Sequence, residues 1–240
     1  MTTFSPLPRL PPLRAIPPPT DSPSIAPGKL FSSVPPRPLL IVVEGPHDVT
    51  FLQQASRILA PPDPQIVDLV QAEARHQVLF LPIGGGYLWN WVERLAPLGL
   101  SEFHLYDREL SPETSRRQAF IDRLQGRTGC RAYLTSKRSL ENFLPGDAIE
   151  RHAHVVVSVT DDNDVSLDLA IAWWESRPRS QAWFALPERR RKKLREQAKR
   201  FLHHTVVPQL TPRDIARGDP AGEIQGWLRE ISGLLTSPHG

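Results

Sequence analysis

The stretch Leu39-Leu40-Ile41-Val42-Val43-Glu44-Gly45-Pro46-His47-Asp48 decides the fold. A short apolar run, rich in β-branched residues, ends abruptly on a carboxylate. Such a run reads as a strand buried on both faces, the kind found in parallel sheets. Asp48 opens a segment whose apolar residues Val49, Leu52, Ala55, Ile58 and Leu59 have helical spacing. Glu44 is therefore expected at the carboxyl end of a strand, and Asp48 in the first turn of the next helix. Open α/β sheets bind ligands at that edge. Two acids placed there can hold a divalent cation through oxygen. The competing reading makes Asp48 a helix N-cap and Glu44 a solvated turn residue.

Downstream, the same pattern returns. Residues 65–76 are mixed, with some helical character. Gln77–Ile83 reads as a second buried strand, followed by Gly84-Gly85-Gly86, whose spacing fits neither a dinucleotide fingerprint nor a Walker loop. Tyr87, Trp89 and Trp91 open a helix running to about Ala96. Core packing and base stacking are both open to them. Phe103–Tyr106 is a third strand, ending on Asp107-Arg108-Glu109. In extended backbone Asp107 and Glu109 point the same way, a geometry for sharing one cation. A helix over Glu113–Gln125 stops at Gly126, and Cys130–Leu134 is a fourth strand. In the segment Ser136–Leu144, Ser139 reads as an N-cap and Glu141 lies in the first helical turn. Short apolar strands separated by helices imply βαβ units and a parallel sheet. Right-handed crossovers bring the strand ends to one edge. Glu44, Asp48, Asp107, Glu109 and Glu141 are all expected along it, where divalent metal is the usual remedy for their repulsion.

Composition bounds the rest. The chain has 240 residues and a formal net charge of +3. Residues 189–200 hold eight Arg/Lys and one Glu, a net +7, which leaves −4 for the remainder. An acidic body with one basic block suggests a polyanion contact confined to one region. A single cysteine, Cys130, excludes an intramolecular disulfide and a zinc site of purely cysteine type. No apolar run approaches a membrane span, and prolines interrupt every amino-terminal apolar stretch, so no signal peptide is expected. The cytoplasm is the default location. Residues 1–38 carry twelve of the 26 prolines, and residues 1–37 read as a disordered or polyproline II leader.

These motifs resemble the topoisomerase–primase (TOPRIM) domain. The carrying features are Val-Glu-Gly-x-x-Asp after a strand, a glycine pair after the next, and Asp-x-acid after the third. The segment Lys137-Arg138-Ser139-Leu140-Glu141-Asn142-Phe143-Leu144 narrows the resemblance to the nuclease domain of the overcoming-lysogenisation-defect family and related stand-alone antiphage nucleases. It covers about residues 38–145, and 185–235 more loosely. The fold implied is α/β, a Rossmann-like domain over 38–150 with a parallel central sheet flanked by helices, plus a helical carboxyl-terminal extension over 151–240. By this resemblance Glu44 is a metal ligand or general base, Asp48, Asp107 and Glu109 bind Mg²⁺ or Mn²⁺, and Glu141 completes a second metal position. The activity implied is a metal-dependent endonuclease on DNA or RNA. The chain departs from the family in having Glu109 where Asp is usual. It also lacks a Walker loop, so any ATPase must come from a separate partner polypeptide. Whether the chain forms a homodimer is left open.

Lys137 and Arg138 could face phosphate or simply end a solvated helix. In the basic block, Arg190, Lys193, Arg195 and Lys199 are candidate phosphate contacts, against the alternative of a solvated helix. Val155–Val159 reads as a further strand. Asp161-Asp162-Asn163-Asp164 starts like a calcium loop, but Ser166 and Ala172 occupy its required Gly and Glu positions, which rejects it. A helix follows over Leu167–Trp174. His203-His204 reads as ordinary surface. The last helix, Ala221–Leu235, carries Ile224, Trp227, Leu228, Ile231 and Leu235 on one face. Competing functions are a primase-like nucleotidyl transferase and a non-catalytic nucleic-acid-binding or regulatory protein.

Overall fold

The computed structural model describes residues 37–84, 88–178 and 181–236. The proline-rich leader, Gly85, Gly86 and Tyr87 lie outside the described residues, save for Arg37. The side chain of Trp89 lies outside them too. Residues 36–240 cluster as one compact unit.

The architecture is α/β, with a four-stranded parallel sheet flanked by helices, consistent with a Rossmann-like fold. Strands β1 (Leu39–Val43), β2 (Val78–Pro82), β3 (Glu102–Tyr106) and β4 (Cys130–Leu134) lie in the order β2-β1-β3-β4. Every residue of β1 is buried, because the strand is covered on both faces. Leu39, Ile41 and Val43 enter one apolar cluster, while Leu40 and Val42 enter the other. That is the two-residue alternation of a pleated strand.

Helices α1 (Pro46–Leu59) and α2 (Leu69–Ala74) link β1 to β2 and feed the first cluster through Phe51, Leu52, Ala55, Leu59, Leu69 and Ala72. Helices α3 (Leu88–Leu95) and α4 (Glu113–Gln125) feed the second through Leu95, Phe120, Ile121 and Leu124. The winding direction changes between β1 and β3, so the topological switch point lies beyond their carboxyl ends.

After β4 come a 3₁₀ turn over Leu140–Phe143 and helices α5 (Gly146–Ala153), α6 (Val165–Glu175), α7 (Glu188–Phe201), α8 (Pro212–Gly218) and α9 (Glu223–Thr236). Their buried faces join the first cluster, so residues 151–236 share a core with the sheet. Helix α9 buries Ile224, Trp227, Leu228 and Ile231.

The strand expected at Val155–Val159 is not formed: the segment pairs with no other strand. Side chains take carbonyls in the segment and just beyond it instead. Asn163 Nδ2 donates to Ser158 O at 2.8 Å, and Asn142 Nδ2 to Thr160 O at 2.7 Å. Among the described residues, no helix is long and apolar enough to cross a membrane.

Candidate functional site

Glu44 follows β1 and Asp107 follows β3, so the sheet order places both at the switch point. The Asp107 N–H donates to Glu44 Oε1 at 2.9 Å. Asp107 Oδ1 accepts from the Leu140 N–H at 3.2 Å, which ties it to the start of the 3₁₀ turn that carries Glu141. Asp48 is not the N-cap of α1, a position held by Gly45. It sits one turn in, and its Oδ2 accepts the Gly45 N–H at 2.8 Å. That is the return half of a capping box. Asp48, Asp107 and Glu141 are all buried.

Their ionisation shows the strain of gathering. Burial pushes the Asp107 carboxyl well above the ordinary range, and the charges of Asp48, Glu141 and Glu44 push it further. Burial raises Asp48 too, with Glu141 adding to it and Lys199 opposing it. Glu44 is raised by burial against the opposing guanidinium of Arg117. Burial also acts to raise Glu141. Here His203 and Lys199 outweigh it and hold the group well below the usual carboxylate range. The ammonium of Lys199 is disfavoured by burial, yet Glu141, Asp107 and Asp48 together hold it above its ordinary value.

Two basic side chains enter this cluster without having been expected there. Arg117 from α4 grips Glu44: Nη2 lies 3.0 Å from Oε2, and Nη1 contacts Oε1 and the Asp107 carbonyl. Lys199 from α7 lies 3.1 Å from Glu141 Oε1. A third, His203, is fully buried, its Nε2 lying 2.8 Å from the same oxygen. The reading of His203-His204 as surface is thus corrected for His203. A π-helical turn over Leu202–Val206 continues α7, and Lys199 and His203, four apart, converge on one acceptor. His203 stacks on His47, ring centroids 5.2 Å apart, and the Nδ1 atoms of both rings are buried without a partner. Burial first, then the charges of His203, Lys199 and His204, pull His47 down to about 4.

A sequence signal for all three existed. Arg117 continues the α4 stripe of Phe120, Ile121 and Leu124 at helical spacing, so it must face inward. Lys199 and His203 stand at helical spacing with Leu202 and Val206, both buried.

Glu109 is not brought to the cluster. The expectation that it shares a cation with Asp107 required extended backbone, but Glu109 is left-handed, with φ 55°. Its carboxylate instead pairs with Arg138 Nε at 3.5 Å, half-exposed. Lys137 and Arg138 do not present free charge to phosphate. Lys137 Nζ donates to Gly218 O at 2.8 Å and Asn142 O at 3.2 Å. Arg138 also reaches Asp164. Arg195 pairs with Asp164 at 2.7 Å, and Lys199 points inward. Arg190 and Lys193 are exposed, with Arg190 lying over the Trp174 ring at 4.9 Å.

Nor do the acids close on one point. Among the described residues, the three-residue group whose ligand atoms lie within 4.8 Å of one another is a different one: Glu102, His104 and Cys130. No protein-family model, curated protein or solved structure matches the chain.

Proposed function

We propose that the chain is a metal-dependent nuclease of TOPRIM type, acting on nucleic-acid phosphodiesters at the switch point. The observation that supports this reading is the burial of Asp48, Asp107 and Glu141 in one electrostatically coupled group beside Glu44, with Asp107 held well above its ordinary range. Buried carboxylates that repel one another are a binding site for a cation that their own cations, Lys199 and Arg117, only partly supply.

The donor set is all oxygen, which suits Mg²⁺ or Mn²⁺. Asp48 and Asp107 would hold the ion, with Glu44 sharing its carboxylate between ion and Arg117. A divalent ion supplies an activated water and neutralises the departing oxygen. The chain's own contribution is positional. The 3₁₀ turn and the Glu44 carboxylate fix Asp107, the capping bond fixes Asp48, and Lys199 offers positive charge to an anionic phosphate while keeping Glu141 ionised. The exposed arginines and lysines of α7 extend that attraction along the substrate backbone.

A second reading is a nucleic-acid-binding protein without catalysis. It is favoured by the two-pronged Arg117–Glu44 pair, which already neutralises one acid. Supercoiled plasmid incubated with Mg²⁺ or Mn²⁺ separates the two. The nuclease reading expects nicking that Asp107→Asn abolishes. Binding without nicking in wild type, or nicking that Asp107→Asn leaves intact, would overturn it.

A further inference from the structure

At the opposite, amino-terminal end of the strands lies a second cluster that the proposed chemistry does not use. Glu102 and His104 are two apart on β3 and so share a face, and Cys130 opens β4 as the register partner of Glu102. All three are buried to within 2% of full burial. Glu102 Oε2 lies 2.7 Å from His104 Nε2, and Cys130 Sγ completes a group within 4.8 Å.

The outward-facing atoms of the same side chains are already held. Tyr106 Oη lies 2.7 Å from His104 Nδ1, and Arg127 Nη2 lies 2.6 Å from Glu102 Oε1. Metal-binding histidines and carboxylates are oriented by such partners on their far atoms. We propose that Glu102, His104 and Cys130 form a binding site for a zinc-class divalent ion, pinning β3 to β4, with Oε2, Nε2 and Sγ as ligands and a water as the fourth.

The dimensions allow it. A tetrahedral zinc sets carboxylate oxygen and imidazole nitrogen about 3.3 Å apart, and each about 3.5 Å from sulfur. The present Oε2–Nε2 separation therefore needs to open by about 0.6 Å. The mixed oxygen, nitrogen and sulfur set selects a borderline-soft ion and discriminates against Mg²⁺. A cavity of about 420 Å³ lined by Arg37, Ser101, Arg127 and Gly129 lies beside the site, the last three adjoining the ligands.

Proton balance follows from the ligands. Burial, with the Glu102 charge, pushes the Cys130 thiol up to about 12, so it is protonated before the ion arrives. Burial also pulls His104 down, against the opposing Glu102 carboxylate. On binding, the thiol proton leaves to solvent. The single imidazole proton, which lies between Nε2 and the Glu102 carboxylate before binding, moves to Nδ1 facing Tyr106 Oη, so that Nε2 is free to ligate. One proton is released per ion, and affinity rises with pH.

The test is a Co²⁺ titration of chelator-treated full-length protein, followed by near-ultraviolet absorption. A thiolate-to-cobalt charge-transfer band should saturate at one equivalent and vanish on adding Zn²⁺, but not Mg²⁺. The chain has one cysteine, so the band reports Cys130 alone. It should disappear in Cys130→Ser and persist in Glu44→Ala, which keeps this site distinguishable from the strand-end acids. X-ray absorption of zinc-loaded wild type should show one sulfur among the ligands, a readout that needs no variant. Absence of the band in excess Co²⁺, or purely nitrogen and oxygen scattering, would overturn the assignment.

Discussion

Two residues discriminate most sharply between the roles open to the acid cluster. Glu109 carries the same charge as the aspartate usual in TOPRIM nucleases, yet its left-handed backbone and its pairing with Arg138 take it away from Asp107. On the proposed nuclease reading, Glu109→Gln should therefore leave plasmid nicking within about twofold of wild type, whereas loss of a required ligand costs far more. A hundredfold fall would put Glu109 back in the site. Arg117 is the other. It and Glu44 are both largely buried, and removing one partner of such a pair typically costs about 3–5 kcal/mol, because a charge is stranded. Arg117→Ala should lower stability by about that much in urea titrations. If the acids bind a divalent ion, Mn²⁺ should restore more stability to this variant than it adds to wild type, since it takes over the neutralisation of Glu44. Equal stabilisation of both proteins would favour the reading without a metal.

At the scale of elements, local signals were legible and long-range ones were not. Helix α4 and strand β4 occupy the spans their patterns suggest, Glu113–Gln125 and Cys130–Leu134. Each is delimited by residues within its own stretch, such as the Gly126 that caps α4. The acids at the ends of β1 and β3 were readable for the same reason. Their partners were not: Arg117 and Glu44 are 73 positions apart, and His203 and Glu141 are 62. No periodicity specifies which of several inward-facing side chains meets which. Helix α8 was missed because seven residues show too little periodicity, yet its cap is well built. Thr211 Oγ1 accepts the Asp214 N–H at 3.2 Å, and Asp214 Oδ2 accepts the Thr211 N–H at 3.0 Å. Burial acts to raise Asp214, but the Thr211 bonds, Arg217 and Arg151 outweigh it and hold the carboxyl low. Because the folded value is depressed, this stability is present above the unfolded value near 4 and is lost as pH falls below it. Asp214→Asn should thus cost stability at pH 7 and flatten the acid limb below pH 4. An unchanged acid limb would remove Asp214 from the account. The same helix ends on Gly218, where a Cβ would meet the Phe143 carbonyl oxygen at 1.9 Å. Gly218→Ala should therefore destabilise by more than about 4 kcal/mol, the range reserved for backbone clashes in a core.

Over the whole molecule, charge is divided rather than balanced. Acids gather at the switch point, while α7 turns one cation inward and leaves others on the surface. The basic block read as one patch in the sequence is therefore two things. Lys199 belongs to the acid cluster and Arg195 is engaged by Asp164, whereas Arg189, Arg190, Lys192, Lys193 and Arg200 are exposed. If the exposed set tracks a nucleic-acid backbone, each phosphate contact contributes about 0.9 to the slope of log affinity against log salt on duplex DNA. Reversing Arg189, Lys193 and Arg200 to Glu should then flatten that slope by about 2–3, measured by fluorescence anisotropy on a labelled duplex across a salt series. These positions avoid Arg195 and Lys199, whose loss would disturb ion pairs within the fold, and Arg190, whose guanidinium covers Trp174. Thermal unfolding of the triple variant should accordingly match wild type closely, because exposed charges contribute little to stability. A slope unchanged in a normally folded variant would show that this face of α7 is only solvated. On the proposed nuclease reading, attraction of substrate would then rest on Lys199, within the acid cluster, where a single cation cannot hold a long polyanion in register.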